Sequence, residues 1–102
     1  MVRQQIVFWR DIPAEVLIRD GRNRTRAPLS RRFLEAIDMA AMHVGAKDSD
    51  AYLAGWRSET SADLDGDPAA LAAAAADAIE ADYPKARLAA LIKSGGFENA
   101  GR

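Results

Sequence analysis

The sequence predicts one α+β domain, a small mostly antiparallel three-stranded sheet packed on helices in the order β-β-α-β-α(α). Three observations carry this. Residues 4–10 and 15–19 are rich in β-branched and aromatic side chains on either side of Pro13. Apolar residues at 33, 34, 37, 40, 41 and 44 recur at helical spacing and stop at Gly45. Asp67-Pro68 then opens an alanine-rich run, with an N-cap residue followed by proline at the first helical position.

The elements follow in chain order. Strand 1 is expected near 4–11 and strand 2 near 14–20, a hairpin around "DIPA", where Pro13 sets its own φ and removes a ladder donor. Alternation places Ile6, Phe8 and Arg10 on one face of strand 1 and Val7 and Trp9 on the other. Two apolar faces suit a strand that is central in its sheet or that meets a partner. "DGRNRTRAP", 20–28, combines turn residues with charge and shows no period, which predicts a loop. Helix 1 spans 31–44, with Ser30 as N-cap and Leu29 placed to staple against Leu34.

In "DSDAYLAGWRSET", Tyr52, Ala54 and Trp56 alternate with Leu53, Gly55 and Arg57, and Gly55 disfavours a helix interior, so strand 3 is expected over 51–59. The alanine-rich helix ends at Pro84, where a last helical segment begins with Leu88, Leu91 and Ile92 on its apolar face. Gly95 or Gly96 stops it. Residues 1–96 then form a single domain and 97–102 a flexible tail.

A chain of 102 residues with no cysteine has no disulfide, thiolate nucleophile or cysteine-ligated metal, so packing alone must stabilise it. The start of the chain runs straight into a strand pattern, and no window approaches ~18 apolar residues, so a cytoplasmic protein without a membrane span is expected. Net charge is −1, yet it is unevenly placed. Residues 1–32 carry eight arginines, no lysine and three acids, a balance of +5, whereas the remainder stands at −6. A dipolar chain of this kind speaks to partners rather than to fold.

The candidate contact residues come from that basic half. Arg19, Arg22, Arg24, Arg26, Arg31 and Arg32 crowd into fourteen residues with only Asp20 against them. Arg31 and Arg32 fall in the first turn of helix 1, where the macrodipole disfavours cations by a few tenths of a kcal/mol. Arginine also favours bidentate contact with carboxylate or phosphate. One reading is a partner or anion patch, the other a solvated loop paired with the chain's own acids. Arg10 and Arg57 each follow a tryptophan, Trp9 and Trp56. Either the pairs form a stacking platform for a ligand, or the tryptophans anchor the core and the arginines line its rim.

Other motifs have structural explanations. "DLDGD", 63–67, begins like a calcium loop, but Ala74 stands where the closing glutamate belongs, and helix capping accounts for it. His43 is the only histidine and sits near the C-terminal end of helix 1, with no second ligand to build a metal or nucleophile site. Glu35 with Asp38 and Asp77 with Glu80 lie at i, i+3 and read as solvated faces. "SGGF" is a helix stop, not a phosphate loop. No catalytic residue, metal or cofactor is therefore expected. Nucleic acid is disfavoured by an acidic pI of about 5.8 and the lack of any reading motif.

"VFWRDIPAEVLI", the arginine-rich stretch, "LSRRFLEAIDMAAMHVGA" and "DAYLAGWR" together resemble a small bacterial virulence factor family, over roughly residues 4–83. The same domain ends the longer conserved virulence factor C proteins, after helical repeats and a module like the N-terminal domain of iron–sulfur scaffold proteins. In stand-alone form the resemblance implies a companion of folate- and corrinoid-dependent methyl-transfer enzymes. It implies no residue roles, and without cysteine this chain cannot hold an iron–sulfur cluster through thiolates.

The functional expectation is a non-catalytic accessory or adaptor domain that docks on a protein partner, or self-associates, through Arg10, Arg19, Arg22, Arg24, Arg26, Arg31, Arg32, Arg57 and a sheet edge. Its rivals are a module for a small phosphate, carboxylate or folate, and a nucleic-acid binder.

Overall fold

A computed structural model describes residues 2–46 and 49–98. The fold is α+β. Strands β1 (Val2–Trp9), β2 (Ile12–Asp20), β3 (Asn23–Pro28) and β4 (Trp56–Leu64) form one antiparallel sheet in the order β3-β2-β1-β4. Helices α1 (Arg31–His43) and α2 (Asp50–Ala54) lie between β3 and β4, and α3 (Pro68–Asp82) and α4 (Lys85–Lys93) follow. The strand with two apolar faces, β1, is central, paired with β2 on one side and β4 on the other.

Among the described residues the sheet thus has four strands, not the expected three, and the extra one is the stretch expected to be a loop. Residues 23–28 pair with β2 across a two-residue turn, Gly21-Arg22. Gly21 has φ +62°, the positive value a tight hairpin of this kind requires at its first central position. Within β3, Thr25 and Ala27 are half-buried while Arg24, Arg26 and Pro28 are exposed, a period of two written in polar and small residues. The stretch has the composition of a charged turn because neither face of this edge strand carries a large apolar side chain.

The expected strand over 51–59 divides in two. Residues 50–54 make the short helix α2, whose cap Ser49 accepts the Tyr52 N–H on its hydroxyl, and β4 begins only at Trp56 and runs on to Leu64. Between them Gly55 lies against Trp9, where an added Cβ would come 2.6 Å from the indole Nε1. Gly55 marks the junction of a helix and a strand, which an alternating pattern across it cannot reveal.

The other helices stand close to expectation. Asp67 caps α3 by accepting the Ala70 N–H at 3.0 Å, and Pro68 opens it. Ser30 has the extended backbone of an N-cap, yet its side chain makes no cap bond and turns to Glu80 instead. Leu29 is buried, but Leu34, its expected staple partner, is 53% exposed. No helix among the described residues is long and apolar enough to cross a membrane.

Two clusters make the core. In the first, Trp9, Ile12 and Ala14 from the β1–β2 corner pack with Phe33, Ile37 and Ala40 of α1 and Leu88 and Leu91 of α4. In the second, Val2, Val16 and Ile18 meet Ala72 of α3, whose alanines let the helix approach β2 and β3 closely. Trp9 is the fully buried anchor, 0% exposed, with its indole N–H donated to the Tyr52 carbonyl at 2.8 Å. Trp56 is only half-buried at the rim, edge-on to Tyr52.

Candidate interaction surface

The sheet register sorts the arginines by face. Residues directly opposite on neighbouring strands point to the same side. Val16 and Ile18 face α3, and with them lie Ile6 and Gln4 of β1 and Ala27 and Thr25 of β3. The intervening residues face the other way. One cross-strand row there runs Arg24 (β3), Arg19 (β2), Arg3 (β1), Asp63 (β4), and the next runs Arg26, Leu17, Gln5, Thr60.

This open face is basic on the β3 side. Arg3, Arg19, Arg24 and Arg26 are all exposed. Arg3 pairs with Asp63 at 3.4 Å, and the Arg19 Nε donates to Gln5 Oε1 at 3.0 Å. Gln5 in turn donates to Thr60 Oγ1 at 3.3 Å. The guanidinium groups of Arg24, Arg26 and Arg22 at the hairpin tip make no hydrogen bond or ion pair among the described residues. Arg19 has an arginine opposite it on each side, and like charges so placed are destabilising. Leu17 is 7% exposed although it belongs to neither core cluster, and it stands between Arg26 and Gln5, its direct neighbours on the flanking strands. A shallow depression lined by Arg3, Arg19, Gly21 and Asp63 completes the surface.

Arg10 and Arg57 occupy a different place and are engaged internally. Arg10 has φ +54°, a left-handed conformation costing about 1–2 kcal/mol for a residue with a Cβ. Its surroundings hold it there. The Arg10 N–H donates to the Gly55 carbonyl at 2.8 Å, and the guanidinium lies between the Trp9 and Phe97 rings, 4.7 and 4.6 Å from their centroids, while Nη1 donates to the Gly95 carbonyl at 2.7 Å. Asp11 accepts the Glu98 N–H at 2.7 Å and pairs with Arg57 at 3.2 Å. Arg57 also donates to the Arg10 carbonyl at 3.0 Å, pairs with Glu59 and covers the Phe8 ring. The corner therefore works as a clasp joining the β1–β2 turn to the start of β4 and to the chain beyond α4.

That clasp also changes the account of the expected tail. Of residues 97–102, Phe97 and Glu98 are tied down, Phe97 by Arg10 and Glu98 by Asp11 and Arg87, and 99–102 lie outside the described residues.

Arg32 is likewise used inside the fold. Its guanidinium donates to the carbonyls of Tyr83 and Glu80 at 2.5 and 2.8 Å, pairs with the Glu80 carboxylate at 3.1 Å and lies over the Phe33 ring. Burial pushes the Glu80 pKa up, but hydrogen bonds from the Ser30 N–H and hydroxyl, together with Arg32, outweigh it and leave the carboxyl below its ordinary value. Glu80 is thus a tether between α3 and α1 rather than part of a solvated pair with Asp77. Arg31 is exposed at the first residue of α1 and makes no pair among the described residues.

The eight expected contact residues therefore separate. Arg19, Arg24 and Arg26 share the open face, Arg22 stands at its hairpin tip and Arg31 follows β3, while Arg10, Arg32 and Arg57 brace the structure. Arg3, Gln5 and Asp63 belong to the surface and were missed, because only the register of β1 and β4 shows them in the same rows. Strand alternation from Ile6 back to Val2 puts Arg3 on the face opposite Ile6. His43 is exposed at the end of α1, and no cluster of three metal-binding side chains occurs among the described residues.

Comparison with known proteins places these elements in one match. A family model described as "Virulence factor" matches residues 7–92. No curated protein and no solved structure matches the chain.

Proposed function

Starting from a chain that belongs to the virulence factor family, we propose that it is a binding module whose open sheet face holds an acidic segment of a partner protein. The family's description comes without a mechanism, so the reading rests on the surface. The observation that carries it is the row Arg24-Arg19-Arg3, three arginines side by side on adjacent strands of the uncovered face. Only Asp63 ends the row, and Arg24 and Arg26 have no acid of their own among the described residues. An acidic chain laid across the rows would relieve like-charge repulsion and could accept bidentate bonds from guanidinium groups.

Protein is favoured over nucleic acid because the two rows hold Leu17, Gln5 and Thr60 between the arginines and no aromatic ring on which a base could stack. A small anion held by Arg10 and Arg57 is less well supported, since both guanidiniums are already bonded to the chain's own carboxylates and carbonyls. Folate- and corrinoid-dependent methyl-transfer enzymes are the first place to seek the partner segment.

Fluorescence anisotropy with a labelled Asp/Glu-rich peptide tests the reading. Binding should weaken steeply with salt and disappear in the triple variant R19E/R24E/R26E. A peptide that ignores the substitutions would sink it, as would a single-stranded oligonucleotide that binds the same face more tightly.

A further inference from the structure

The two outer strands differ in charge. β3 carries Arg24 and Arg26, with Arg22 just before it, whereas β4 carries Glu59 and Asp63, with Asp65 just after it, and its one cation, Arg57, is already paired with Glu59 and Asp11. Among the described residues each is bonded to a sheet neighbour on one side only. An outer strand is a template for another strand, and charge decides which strand it accepts. β3 against β3 brings arginines together, and β4 against β4 brings carboxylates together. β3 against β4 is the one complementary pairing.

Strand direction allows that pairing. Across β3-β2-β1-β4 every neighbour is antiparallel, so β3 runs with β1 and β4 runs with β2. When a second copy is placed alongside in the same orientation, its β4 meets the first copy's β3 antiparallel, and the alternation continues unbroken. In the register that sets Arg24 opposite Asp63, two residues further on Arg22 stands opposite Asp65. The row then reads Asp63, Arg24, Arg19, Arg3, Asp63, Arg24 from copy to copy, and each unpaired Arg24 gains an acid one strand away, about 4.8 Å in the hydrogen-bonding direction.

We infer that the protein self-associates head to tail, the β4 edge of one copy adding to the β3 edge of the next through Arg24–Asp63 and Arg22–Asp65. The joint is heterologous, so it extends into a chain of copies unless the twist between them closes a ring. This is independent of the partner reading above, because it needs the two edges and no foreign segment. Arg3 and Arg19, away from the edges, stay on the open face in every copy.

Sedimentation of the full chain at low salt, over a wide concentration range, tests it. The wild type should rise above its monomer mass of 11.0 kDa as concentration increases and fall back as salt is added. R22E/R24E and D63R/D65R should each remain monomeric alone and assemble when mixed, because each supplies the edge that fits the other. The chain carrying all four changes should assemble with itself. Recovery on mixing also shows that both variants are folded. A wild type that stays monomeric throughout overturns the inference, and so does assembly lost in R22E/R24E but kept in D63R/D65R, which would mean β3 pairing with itself. Peptide binding by a strictly monomeric wild type would leave the partner reading standing while this one fails.

Discussion

Glu80 accepts both the backbone N–H of Ser30, at 2.6 Å, and its hydroxyl, at 2.9 Å, so the cap residue of α1 is satisfied by a carboxylate fifty residues away on α3. The bond joins two helices that also meet through Arg32, on the Glu80 carboxylate and carbonyl, and through the first core cluster. Glu80→Gln should lower stability by about 1–2 kcal/mol in urea melts, the scale of lost hydrogen bonds to a charged acceptor. Because the folded carboxyl titrates below its unfolded value, its contribution is full at neutral pH and is lost as pH falls through the folded pKa. The gap between wild type and Glu80→Gln should therefore narrow in acid, and a gap that widens there would contradict the assignment.

Removing the buried anchor should be the most damaging single change. Trp9→Ala empties the centre of the first cluster and strands the Tyr52 carbonyl, for an expected cost of about 3–5 kcal/mol. In a domain of this size such a loss leaves little folded protein, which circular dichroism and thermal melts would register.

Gly96 tests the clasp. Its φ is +98°, and an added Cβ would lie 2.9 Å from Trp9 Cζ3 and 3.2 Å from the Arg10 side chain. Gly96→Ala should destabilise by more than about 1 kcal/mol, above the usual cost of a Cβ at positive φ, because a fully buried ring cannot withdraw. Gly21→Ala, also at positive φ but with open space around it, is the control for backbone strain alone and should cost less.

The arginine face should trade stability for binding. Arg24→Thr removes one of two like charges flanking Arg19, loses no bond among the described residues and puts a β-branched residue in a strand. It should raise stability by a few tenths of a kcal/mol at low salt, with the gain fading at about 1 M salt where the Debye length is ~3 Å. Affinity for an acidic peptide should fall. If Arg24→Thr destabilises the free protein, the repulsion argument is wrong.

The three longer helices were legible in the sequence because their signals are local: Asp67-Pro68 starts α3, Gly45 closes the turn after α1, and apolar spacing marks what each of them buries. The β1–β2 hairpin was legible for the same reason, but its turn is Arg10-Asp11 and Pro13 lies within β2, and the two Trp-Arg pairs, left open between anchor and ligand platform, divided into a buried Trp9 and a half-buried Trp56. β3 was not, because an edge strand of Arg, Thr and Ala beside a tight turn has the composition of a loop, and only pairing with β2 makes it a strand. Nor was α2, whose five residues are too short to show a period.

For the surface, the sequence by itself determined that a basic segment exists, that it is arginine rather than lysine, and that thiol chemistry is absent. Which arginines face outward together was decided by tertiary structure. Arg10, Arg32 and Arg57 look no different in the sequence from Arg19, Arg24 and Arg26, yet the first three find carbonyls, rings and carboxylates brought from 46 to 87 residues away. The others stand on strands whose register leaves them among their own kind. A guanidinium's partners are set by what the fold carries within a few ångströms of it, and that distance is invisible until the strands have chosen their neighbours.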